Sequence, residues 1–103
     1  MTAFMAECFW PGVTAKNVAD AGERLRNASD AIRLEGGFAR YLGSILVPSE
    51  EIALCLFEAA SIDAAAEVDR RAAIPSERLL EIVHLGAFLP ERPPLDNSSK
   101  ESR

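Results

Sequence analysis

The order of hydrophobic signals constrains this chain more than any other feature. An apolar run, a long amphipathic stretch, two more apolar runs, a second helical stretch closed by Ile74-Pro75 and a last apolar run follow one another. Strand-like and helix-like periods in that order predict β-α-β-β-α-β, a split βαβ arrangement in one α+β domain. With 103 residues the chain holds one such domain. Its core has little apolar surface to set against conformational entropy, so oligomerisation would help it.

Residues 4–10 carry apolar side chains on both parities with Glu7 the single acid, as expected of a central strand covered on both faces. Pro11-Gly12 closes it, and Thr14 is placed to cap a helix over residues 15–35. There Val18, Ala21, Leu25, Ala28 and Ile32 form the apolar stripe and Gly36-Gly37 the stop. Residues 38–47 read as a second strand with a bulge or a close approach at Gly43, residues 48–51 as a hairpin turn, and residues 52–58 as the returning strand. Ser61 caps a second helix whose stripe, Ile62, Ala65, Val68 and Ala72, is thin. Pro75 ends that helix, because a residue before proline is pushed out of the α region. Residues 76–80 read as one short turn and residues 81–88 as the fourth strand. Residues 89–103 change to Pro, Ser, Asn and scattered charge, the composition of a disordered tail beside a single domain of residues 1–88.

Composition narrows the function classes. Sixteen acidic against 11 basic residues leave a net charge of −5, which offers no basic footprint for nucleic acid. No stretch approaches the roughly 20 apolar residues of a membrane span, and the first residues lack the pattern of a secretory leader. Cys8 and Cys55 each lie inside an apolar run and form no Cys-x-x-Cys pair. They read as buried thiols of a protein in a reducing cytoplasm.

Residues 4–7, Pro11-Gly12, residues 40–44 (Arg-Tyr-Leu-Gly-Ser), residues 55–61, the Arg70-Arg71-Ala72-Ala73-Ile74-Pro75 run and Arg78 together resemble a family of small, mostly bacterial domains of unknown function. One actinobacterial branch of that family binds nickel. The resemblance spans roughly residues 3–88. It implies a ferredoxin-like fold with two helices on one face of an antiparallel four-stranded sheet, and a dimeric α+β barrel formed by pairing sheets. Ala60 and Ser76-Glu77 depart from the family pattern and bear on turn geometry only.

His84 is the sole histidine, and imidazole suits both borderline metals and proton transfer at neutral pH. Its structural reading is a strand histidine hydrogen-bonded at an edge or interface. Glu7, between Met5 and Phe9 on one strand face, is costly there unless paired, coordinated or wetted. An ion pair with Arg40 or Arg78 competes with a site role. Glu58 ends its strand beside a turn, where exposure explains it. Alternation sets Glu7 opposite Cys8, and Cys55 opposite Glu58, across the sheet. Two candidate ligand sets follow: Glu7, Glu58 and His84 for nickel or another divalent metal, or Cys8 with Cys55 as soft ligands. Apart from ligation, the cysteines read as core fillers.

No nucleophile elbow, P-loop or dinucleotide fingerprint occurs. The expectation is a small cytoplasmic metal-binding homodimer without enzymatic activity, nickel being implied by the resemblance. The alternative is a cofactor-free enzyme or small-molecule binder of the dimeric barrel type, with Tyr41, Glu7 or His84 as polar groups of an apolar cavity.

Overall fold

The computed structural model describes residues 2–83 and residue 85. Its elements are β1 (Thr2–Phe9), α1 (Ala15–Leu34), β2 (Ala39–Val47), a 3-10 turn (Pro48–Glu50), β3 (Ile52–Ala59), α2 (Ile62–Ala72) and β4 (Arg78–Ile82). The strands form one antiparallel sheet in the order β2-β3-β1-β4. β1 and β3 are therefore interior, as their apolar residues on both parities require. Position 84 and positions 86–103, including the expected end of the fourth strand and the tail, lie outside the described residues.

Local chemistry sets the helix ends. Thr14 Oγ1 accepts from the Asn17 backbone N–H at 3.1 Å, while Asn17 Oδ1 accepts from the Thr14 N–H at 3.0 Å. This reciprocal box satisfies two donors that the helix itself cannot. Gly36, with φ of 92°, takes the left-handed conformation that stops α1. Ser61 Oγ caps α2 by accepting from the Ala64 N–H at 3.1 Å. The helix then closes through Ala73 at φ of 53°, ahead of Pro75. Arg71 ties the helices together, donating to both oxygens of Glu35 at 2.8 and 2.9 Å and to Glu67 at 2.7 Å.

Both helices cover the same side of the sheet. Val18, Ala21, Leu25, Ala28 and Ile32 of α1 are all buried, with Ala65, Val68 and Ala72 of α2, against Phe4, Ala6 and Cys8 of β1 and Ala53, Cys55 and Phe57 of β3. Ile62 stands at the start of its stripe and is half exposed. The alternate residues of β1 and β3, among them Met5, Leu54 and Leu56, point to the side without helices and are only partly covered. No helix among the described residues is long and apolar enough to cross a membrane.

The fourth strand starts at Arg78 rather than at Glu81, so residues 78–80 belong to the sheet and not to a turn. Register explains the difference. Arg78 lies opposite Glu7, the Glu77 N–H donates to the Glu7 carbonyl at 2.7 Å, and Leu79 and Leu80 alternate between the two faces.

The expected bulge is present, with register slipping between Tyr41 and Gly43 and φ of Gly43 at 145°. A Cβ at Gly43 would meet nothing within 4 Å, so only backbone strain opposes a side chain there. Gly43→Ala should lower stability by about 1–3 kcal/mol, read from the midpoint of urea unfolding. An unchanged midpoint would mean that the bulge relaxes freely.

Candidate functional site: the open sheet face

Because every strand alternates, one parity enters the core and the other forms a surface with no layer above it among the described residues. That surface is concave. It holds a groove of about 1090 Å³ whose floor and walls include Met5, Leu42, Ile45, Leu54, Leu56 and Ile82. Val83 and Leu85, at 78% and 85% exposure, stand at the rim beyond β4. A contiguous apolar patch of this kind on a small domain marks a binding surface more often than a solvated one.

The charges on this face sit at two opposite corners. Glu58 of β3 accepts from Arg40 Nε and Nη2 of the edge strand β2, at 3.1 and 2.8 Å. At the diagonally opposite corner, Glu7 of β1 accepts from Arg78 Nε of the other edge strand at 2.7 Å. The Glu7 side chain is 16% exposed and that of Glu58 25%, so neither carboxylate is left in the open. Each is matched by a guanidinium, and the hydrogen bond to Glu7, then its charge, pushes Arg78 further up. The apolar centre between the corners carries no net charge.

The expected site residues are thus distributed as follows. Glu7 and Glu58 share the open face but at its far corners, each engaged by an arginine. Glu58 is explained by that pair, not by plain exposure. His84 lies outside the described residues. Among the described residues no group of three or more His, Cys, Asp or Glu side chains is arranged to hold a metal ion. Cys8 and Cys55 are both free and buried on the helix side of the sheet. Tyr41 also stands on that side, its hydroxyl 2.6 Å from Ser44 Oγ and its ring beneath the Arg26 guanidinium at 5.5 Å. Gly22 of α1 makes room for it, since a Cβ there would meet Tyr41 Oη at 2.6 Å.

Sequence reasoning named Arg40 and Arg78 as alternative partners of Glu7, and the register assigns one arginine to each acid. It missed the groove residues Leu42, Ile45 and Leu54 as lining, and Ser44 as the neighbour of Cys55. For Ser44 and Ile45 the bulge is the reason: it reverses the parity of β2 beyond Gly43, which period-two counting passes over.

No protein-family model matches the chain, and no curated protein matches it. Among solved structures, the crystal structure of SCO4226 from Streptomyces coelicolor A3(2) is similar, with a TM-score of 0.60 and 23% sequence identity over 82% of this chain and 99% of that one. The two proteins share the fold. The βαββαβ order, antiparallel sheet and one-sided helices are those of a ferredoxin-like α+β domain.

Proposed function

We propose that this protein is a small homodimeric binding module in which two open sheet faces close on each other as an α+β barrel and enclose a neutral, apolar ligand. The observation that carries this reading is the groove: a concave apolar floor on a sheet face that no helix covers among the described residues, with ion pairs at opposite corners of that face. A two-fold partner supplies the missing layer, since an isologous contact needs one self-complementary patch. Charges that already neutralise each other in pairs favour an uncharged occupant over an ionic one.

The metal-binding alternative, with nickel implied by the family resemblance, places Glu7, Glu58 and His84 around a divalent ion. On the open face a cation would have to displace Arg78 from Glu7 and Arg40 from Glu58. That cost weighs toward the apolar ligand. Titration of untagged protein with N-phenyl-1-naphthylamine, a neutral apolar fluorophore, and separately with Ni²⁺ distinguishes the readings. Saturable fluorophore uptake that is lost in Ile45→Asp is expected. Nickel binding that disappears in His84→Ala, together with no fluorophore uptake, would overturn the proposal in favour of the metal.

A further inference from the structure

The helix side of the sheet contains a second feature that the groove does not use. Cys55 lies opposite Ala6 and Cys8 opposite Ala53 on adjacent antiparallel strands. The two thiols are therefore diagonal neighbours on one face, within reach of each other. Cys8 is 0% and Cys55 1% exposed, and both are free. Cys8 Sγ lies 4.0 Å from the Ala6 carbonyl oxygen. The bulge in β2 sets Ser44 opposite Cys55, with Tyr41 Oη on the far side of the Ser44 hydroxyl.

We infer that Cys8 and Cys55 form an interior two-thiolate site for a thiophilic monovalent cation, with Cu(I) as its chemical type. Soft thiolates select such a cation over nickel or zinc, and a d¹⁰ monovalent ion needs only two ligands where zinc asks for four. Binding exchanges protons for metal: Cu⁺ plus two thiols gives a dithiolate-bound Cu(I) and two protons. Three charged groups act on the pair, namely Arg24 of α1, Asp69 of α2 and Glu77 just before β4. Asp69 is half-buried, its Oδ2 takes a hydrogen bond from Ser76 Oγ at 2.6 Å, and its Oδ1 has no partner. Exchange of one proton for Cu⁺ leaves the charge that faces Asp69 and Glu77 unchanged, and the Arg24 guanidinium favours the negative charge left when the second proton departs.

The two thiols do not titrate alike. The hydrogen bond with Cys55, then burial, then the charge of Cys55, Asp69 and Glu77 push Cys8 far up. The hydrogen bond from Cys8, helped by Ser44 and Arg24 against burial and Asp69, pulls Cys55 down to about 7.

The test is titration of the full, untagged chain with Cu(I) against a chromophoric Cu(I) chelator at neutral pH. One ion per chain and at least tenfold weaker binding in Cys8→Ser and in Cys55→Ser are expected. Cys8→Ala and Cys55→Ala, compared by circular dichroism, separate loss of ligand from loss of fold. A measurement on wild type alone adds a second check: Cu(I) should protect both thiols from alkylation during a brief urea pulse. No retention of Cu(I) against the chelator, or retention unchanged by either cysteine variant, would overturn the site. Equal alkylation with and without Cu(I) would do the same and leave the cysteines as core residues.

Discussion

Leu56→Glu should convert the protein from a dimer to a monomer at micromolar concentration while leaving the fold intact. Leu56 lies at the centre of the open face, opposite Met5 on β1 and Gly43 on β2, and well inside the two corner ion pairs. In the isolated chain it is only partly covered, on the side without helices, so a glutamate there reaches water and costs little. In the proposed dimer the two-fold axis brings both carboxylates into one apolar layer with no guanidinium free to meet them. An uncompensated buried charge costs about 3 kcal/mol or more, or about 100-fold in Kd. Sedimentation velocity across a concentration series reads the change, and far-UV circular dichroism checks the fold. A wild type that is monomeric at those concentrations, or a Leu56→Glu variant as dimeric as wild type, sinks the interface.

Much of this architecture could be read from the residues because α1, β1 and β3 state their environment twice. The stripe Val18, Ala21, Leu25, Ala28, Ile32 marks one buried side of a helix, and the apolar residues of both parities on β1 and β3 mark interior strands. β4 was harder. Ser76 and Glu77, which lead into it, and its first residue Arg78 look like a turn until the register sets Arg78 against Glu7. That pairing joins residues 71 positions apart, and no local pattern records it. The candidate site divides the same way. Alternation correctly separated Glu7 from Cys8 and Cys55 from Glu58. The assignment of one arginine to each acid, and of Ser44 to Cys55, depended on strand order and on a one-residue slip at Gly43. Those are properties of the assembled sheet, not of any single strand.

Phe57→Ala should be the most destabilising single substitution among the aromatic residues. Phe57 is 0% exposed and lies directly opposite Phe4, itself 2% exposed, with ring centroids 6.4 Å apart and planes inclined at 34°. The pair belongs to the core between the sheet and the helices, in which small side chains such as Ala6, Ala21, Ala65 and Ala72 are frequent. Small neighbours have few side-chain torsions with which to collapse into a void, so the cavity persists and its full cost is felt. Truncating a buried phenylalanine costs about 3–5 kcal/mol, against a total stability of about 5–15 kcal/mol for a domain. At about 4–8 °C per kcal/mol for a domain near this size, Tm should fall by roughly 12–40 °C. Leu34→Ala supplies the contrast: Leu34 is 89% exposed at the end of α1, and its loss should change stability by no more than about 0.5 kcal/mol. Calorimetric or circular-dichroism melts at one fixed protein concentration keep any dimer contribution constant between variants. A fall in Tm of only a few degrees for Phe57→Ala would mean that α1 and α2 close over the vacated volume, and that the alanine-rich helix side is far more pliable than its packing implies.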